Sequence, residues 1–152
     1  MWPIPGKYTM VAAGAEGPTR LNAFDNALLA AGIGNLNLVR VSSILPPGAV
    51  YHPVLEIPAG SLVPVAYGYI ISEVPGECLA AAVGVGLSRN SFGVIMEFAG
   101  RCSAEAAREA VLAMVHEAFA VRGMELVETK LAVAEHRVQR VGCALAAVPL
   151  WF

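Results

Sequence analysis

Charge is scarce in this sequence. Of its 152 residues 14% are Asp, Glu, Lys or Arg while 57% are hydrophobic, and a soluble domain ordinarily carries about a quarter charged. A monomer of this composition would struggle to cover its surface with solvated groups, so burial of apolar surface in an oligomer is expected. The net charge of −2 comes with no basic cluster, which removes the electrostatic footing for nucleic acid. Long hydrophobic runs are missing too: the uncharged stretch between Glu56 and Glu73 is broken by Pro58, Gly60 and Pro64 and is too short to span a bilayer comfortably. The first residues lack the basic start and unbroken apolar segment of a secretory signal. These absences lead to the expectation of a cytoplasmic protein with no membrane partner. Cys78, Cys102 and Cys143 form no C-x-x-C pair, so neither a disulfide framework nor a zinc ribbon is expected; the three read as small buried residues.

The usual catalytic signatures are also absent. Gly84-Val85-Gly86-Leu87-Ser88-Arg89 lacks the third glycine of a dinucleotide fingerprint, and there is neither a P-loop nor a G-x-S-x-G elbow. His52, His116 and His136 have no ligand-like spacing, and His116 beside Glu117 lacks the H-E-x-x-H partner, so they read as structural or surface residues and no metal is expected. A pyridoxal enzyme needs a Schiff-base lysine, yet Lys7 and Lys130 are the only lysines and neither has a recognisable setting.

What is present reads as one domain, residues 1–152, of the α+β class. A strand is expected over Lys7–Ala13, closed by Gly14 and Gly17, then a helix opened by Pro18 and Thr19 and stopped at Gly32 or Gly34. An extended segment follows over Asn35–Ser43, with Pro46-Pro47-Gly48 as a breaker. Val63–Ser72, Cys78–Leu87 and Gly93–Ala99 read as strands whose internal glycines are candidate bulges. Ser103 caps a second helix with Ala107, Val111, Met114, Val115 and Ala118 on one face and Gly123 at its end. Strands over Met124–His136 and Val141–Pro149 close the chain.

One segment stands out: Asn35-Leu36-Asn37-Leu38-Val39-Arg40-Val41-Ser42-Ser43-Ile44-Leu45-Pro46-Pro47-Gly48, an apolar strand running into two serines and a rigid turn. Its ordinary reading is a strand end whose serines satisfy turn hydrogen bonds. The other reading is chemical. A serine at a strained junction can turn its hydroxyl on the preceding carbonyl, convert the amide to an ester and, by elimination, leave a ketone at a new N-terminus.

This segment resembles the self-cleavage site of the pyruvoyl-dependent arginine decarboxylase family. The similarity takes in Leu21 to Gly34, with its F-D-x-A-L-L stretch, and Gly93-Val94-Ile95-Met96-Glu97-Phe98, and so spans nearly the whole chain. The resemblance implies an αββα sandwich and cleavage between Ser42 and Ser43, giving a β-chain of residues 1–42 and an α-chain of residues 43–152. Ser43 would become the pyruvoyl group, the only cofactor, with no pyridoxal phosphate and no metal. By the same resemblance Asn37 assists processing, hydrogen-bonding the carbonyl under attack as an oxyanion-hole donor would. Glu97 is the catalytic glutamate, and a carboxylate closing an apolar strand is suited to a raised pKa and to giving up a proton. Asp25, the sole aspartate, receives the substrate guanidinium in a bidentate pair. The implied activity is decarboxylation of L-arginine to agmatine and CO2 through a Schiff base to the pyruvoyl ketone, in trimers of αβ protomers with active sites between protomers. Two other readings stand beside it: the same chemistry on another amino acid, or an unprocessed, non-catalytic oligomer with a binding or scaffold role.

Overall fold

The structure, a computed structural model, describes residues 2–152. Along the chain run β1 (Lys7–Tyr8), β2 (Val11–Glu16), α1 (Arg20–Ala30), β3 (Asn37–Arg40), β4 (Ile44–Leu45), β5 (Val50–Tyr51), β6 (Leu62–Ser72), β7 (Cys78–Leu87), β8 (Gly93–Gly100), α2 (Ala104–Arg122), β9 (Glu128–Arg137) and β10 (Gly142–Trp151). Two sheets form. One has the order β3-β6-β10-β1-β5, with β2 also paired to β10, and the other the order β4-β8-β7-β9. Pairing is antiparallel except β3 with β6 and β1 with β5. The fold is therefore mixed α+β, as the run of strands around two helices predicts.

Side-chain alternation shows how the layers meet. On β10, Ala144, Ala146, Val148 and Leu150 pack in one cluster with Leu79, Ala81, Val83 and Val85 of β7, which belongs to the other sheet. The intervening Cys143, Leu145 and Ala147 pack with Ala23, Ala27 and Leu28 of α1. A strand turns successive side chains to opposite faces, so a strand covered on both faces must be apolar at every position. β10 and β7 are such strands.

α2 covers the outer face of the second sheet, and the glycines of β7 explain how closely it sits. A Cβ at Gly86 would lie 2.5 Å from Phe119 Cε1 and 2.7 Å from Val115 Cγ1. Pairing runs through Gly84 and Gly86 without a register slip on either side. These glycines therefore mark helix contact, and the expectation of bulges is corrected. Both helices begin on the expected caps: Thr19 Oγ1 accepts the Asn22 N–H at 3.1 Å and Ser103 Oγ accepts the Ala106 N–H at 3.2 Å. Gly32 and Gly123, with φ of 84° and 63°, take the left-handed turns that follow them.

Other boundaries moved. The first expected strand is two, and the second of them runs past Gly14 to Glu16, because Gly14 pairs with Ala144 and its missing Cβ makes room for His136, whose Cβ would stand 2.7 Å away. Residues 124–127 are loop, with Met124 N–H closing the helix end on the Phe119 carbonyl; their apolar side chains Met124 and Leu126 pack beneath α2, which is why they resembled a strand. β10 runs two residues beyond Pro149. β4 and β5, two residues each, are too short for any periodicity to show.

Candidate active site

The Ser42–Ser43 peptide is where the chain leaves one sheet for the other. Val41, just past β3, still donates to the Val65 carbonyl of β6 at 3.1 Å, and the Ser43 carbonyl already accepts the Ile95 N–H of β8 at 2.7 Å. β4 continues that pairing with Ile44 opposite Val94 and Leu45 opposite Gly93. Between these anchors, the Ser42 carbonyl and the Ser43 N–H have no hydrogen-bond partner among the described residues. Stacked sheets lie about 10 Å apart, so the two serines are the bridge, drawn out between ladders. No non-glycine residue among those described has a positive φ. The junction is thus distinguished by its unpaired peptide, with no left-handed backbone at either serine.

Glu97 stands beside this bridge. It lies two positions beyond Ile95 on the same face of β8, so strand geometry puts it diagonal to Ser43, roughly 7 Å from backbone to backbone. Across the gap Gly68 of β6 leaves room for it: a Cβ there would stand 3.2 Å from Glu97 Cβ and Cγ. The Glu97 side chain keeps 25% of its surface exposed, and its nearest charge is Arg40 Nη2 at 3.9 Å. Burial pushes the Glu97 carboxyl above the ordinary carboxylate range, and the Arg40 guanidinium pulls it partly back. A carboxyl so placed keeps its proton to higher pH and can deliver it.

Arg40 is the residue that reading the sequence left without a role. Its guanidinium lies 4.5 Å from the centre of the Tyr67 ring and Nη2 donates to the Tyr67 carbonyl at 2.6 Å. The only signal in the sequence was its place in N-L-V-R, two residues before the serine pair.

Asn37 and Asp25 lie apart from this cluster within one chain. Asn37 begins β3, at the end remote from Ser42, and its Nδ2 donates to the Gly60 carbonyl at 3.0 Å. Five extended residues put it roughly 16 Å from Ser42. Asp25 is exposed on α1. The helix layer holding it packs on the first sheet, through Phe24 against Tyr67 and Tyr69 with centroids 6.3 and 4.7 Å apart, whereas Glu97 lies between the sheets.

A second carboxylate occupies another edge of the molecule. Glu16, at the end of β2, meets His136 Nε2 at 2.5 Å and accepts the N–H groups of Gln139, Arg140 and Val141 at 3.2, 2.8 and 3.2 Å. It ties the β9–β10 turn to the first sheet. Hydrogen bonds from His136 and from these backbone groups hold its carboxyl below the ordinary range despite burial that opposes them. His136 is thus structural. Of the cysteines only Cys143 is fully buried; Cys78 and Cys102 are half-buried, because they sit at the rim of the second sheet, where the Cys78 thiol donates to Glu135 at 2.9 Å. Lys130 Nζ is held over Tyr51, 4.4 Å from the ring centre. Among the described residues no group of three or more His, Cys, Asp or Glu is arranged to hold a metal, and no helix is long and apolar enough to cross a membrane.

Residues 7–152 match the family model of pyruvoyl-dependent arginine decarboxylase. The chain is 48% identical over 151 residues to a pyruvoyl-dependent arginine decarboxylase of Methanocaldococcus jannaschii, covering 98% of this chain and 92% of the relative. It is 49% identical over 154 residues to one of Pyrococcus abyssi, covering 99% and 98%, and 49% identical over 151 residues to one of Thermococcus sibiricus, covering 97% and 96%.

Proposed function

The chain belongs to the pyruvoyl-dependent arginine decarboxylase family, and from that premise we propose that it cuts itself between Ser42 and Ser43 and converts L-arginine to agmatine and CO2. The observation that carries the cleavage site is the unpaired Ser42–Ser43 peptide, bridging two sheets with Glu97 diagonal to it. A peptide held in a ladder has its carbonyl engaged; this one is open to attack. Ser43 Oγ adds to the Ser42 carbonyl carbon, the C–N bond breaks and an ester remains. Elimination then breaks the Ser43 Cβ–Oγ bond, the oxygen leaves with the Ser42 carboxylate, and one water releases ammonia to give the ketone.

Residue 43 fits the pyruvoyl group, since it is a serine anchored only through its own carbonyl. When formed, the ketone supplies an electron sink for loss of CO2 from a bound amino acid. The remaining work falls to side chains. Glu97 holds a proton near residue 43 and returns it to the substrate α-carbon. Asp25 pairs with the substrate guanidinium, whose planar fork matches a carboxylate and rejects shorter or neutral side chains.

The same reading takes the chain as one domain, residues 1–152, with β-chain 1–42, α-chain 43–152 and an αββα sandwich. The clusters joining α1 to the first sheet, the two sheets to each other and α2 to the second sheet support that layering. We place the protomers in a cytoplasmic homotrimer. Asn37 and Asp25 stand apart from Ser43 within one chain, and a site completed by a neighbouring protomer brings them to it. The exposed Ile4, Leu21, Val54 and Leu62 supply apolar surface for such contacts.

Intact mass under denaturing conditions tests the proposal. Two fragments split after Ser42, the larger blocked at its N-terminus and altered by borohydride, are expected, together with agmatine formed from arginine. A single chain that persists after prolonged warm incubation would overturn it.

A further inference from the structure

Arg40 sits where it answers to two different carboxylates, one before cleavage and one after. In the uncleaved chain its guanidinium rests on the Tyr67 ring and bonds the Tyr67 carbonyl, and the tip is 3.9 Å from Glu97. No hydrogen bond joins Arg40 to Glu97, and the arginine side chain is half exposed. The pair is therefore a charge contact that can be exchanged. Arg40 is also two residues before Ser42 on an extended segment, so residues 40 and 42 face the same side of the strand about 6–7 Å apart. Elimination from the ester leaves Ser42 as a free carboxylate at that spot.

We propose that Arg40 is a shared counter-ion: it neutralises Glu97 in the uncleaved chain and transfers to the Ser42 carboxylate that self-cleavage creates, so that Glu97 becomes the proton donor only in the cleaved protein. The inference rests on the cleavage and Glu97 readings above. It makes Arg40 a positioning residue that acts through Glu97. The surroundings of Glu97 leave Arg40 as the group able to do this. β6 offers it Gly68, with the Tyr67 ring turned to Arg40; β7 offers Val83, its paired neighbour; the bridge offers Ser42 and Ser43. None of these carries charge at neutral pH. Apart from burial, the Arg40 charge is the one influence on the Glu97 carboxyl. As a guanidinium leaves, the carboxyl it faced holds its proton more tightly, which is the direction a proton donor needs.

The test follows the Glu97 side chain itself, in protein labelled with 13C at the glutamate carboxyl and with Glu97→Gln as the assignment standard. Three proteins are titrated: uncleavable Ser43→Ala, the double variant Ser43→Ala with Arg40→Met, and the cleaved wild type. The expected order puts the Glu97 midpoint lowest in Ser43→Ala, with the double variant and the cleaved protein both binding the Glu97 proton at least about threefold more tightly, half a pH unit. Arg40→Lys in the Ser43→Ala background keeps the charge without the planar fork and should fall between; it serves if Arg40→Met does not fold. Equal midpoints for Ser43→Ala and its Arg40 variants would overturn the counter-ion, and a cleaved protein that titrates like Ser43→Ala would overturn the transfer. Failures of the underlying readings look different: no cleavage of the wild type by mass, or full agmatine production by Glu97→Gln, would remove the premise while the titrations still report on Arg40.

Discussion

Glu16 and Glu97 are the same residue type at almost the same exposure, 26% and 25% of the side chain, yet their carboxyls shift in opposite directions. The difference lies in what surrounds each. Glu16 collects three backbone N–H groups and a histidine, so its charged form is better satisfied than in water and burial is outweighed. Among the described residues Glu97 has no hydrogen-bond donor, only a guanidinium at 3.9 Å, so burial prevails. Exposure alone thus says little about a carboxylate's task; the donors it meets decide whether it fastens the fold or keeps a proton for chemistry. Each also lies against a glycine of a central strand, Gly142 for Glu16 and Gly68 for Glu97.

Substituting both glutamates should separate the two roles. Glu97→Gln is expected to lower kcat/KM for arginine by about 10²–10⁴, the usual worth of a positioned general acid, measured as agmatine formation by fully cleaved protein. Glu16→Gln should leave that rate within a few-fold; a comparable loss would erase the distinction. Stability should respond the other way. Glu16→Ala leaves the turn N–H groups without their acceptor and is expected to cost about 1–3 kcal/mol in denaturant unfolding.

The two glycines sharpen the contrast more gently. Gly142→Ala places a Cβ 2.5 Å from Glu16 Oε2 and 2.7 Å from His136 Cδ2, and a loss of about 1–3 kcal/mol is expected from the crowding. Gly68→Ala meets Glu97 at 3.2 Å, a shift of tenths of an ångström that should reduce kcat roughly tenfold with little change in the unfolding midpoint.

The smallest expected effect is the pH dependence of stability, and its sign differs between the two. Glu16 ionises more readily folded than unfolded, so its contribution is present above the ordinary value of 4.5 and is lost as pH falls through its lower folded value. Glu97 ionises less readily folded, so its contribution is complete below 4.5 and is lost as pH rises through its higher folded value. Glu97→Gln should therefore unfold at a higher urea concentration than the parent at pH 7 and not at pH 4. Identical midpoints at pH 7 would show that Glu97 is not strained by burial.

Much of this molecule was legible along the chain. Caps at Thr19 and Ser103, the turn at Gly123 and the ends of β7 follow from local chemistry, since a cap oxygen or a left-handed glycine acts within a few residues. The small residues of β7 were visible but not their reason, because the helix they accommodate lies some thirty residues on. The serine pair was visible; that its peptide is the unpaired bridge between two sheets was not, for that depends on Val65 and Ile95, distant in sequence.

What residue order settled here is everything that depends on neighbours: which segments extend, which coil, where each begins, and that Ser42, Ser43 and Arg40 travel together. Which carboxylate keeps its proton was decided by folding. Glu16 meets partners 120 to 125 residues away and Glu97 meets Arg40 from the opposite sheet. Proton affinity is set by the dielectric and the donors within a few ångströms, and only tertiary packing brings those together.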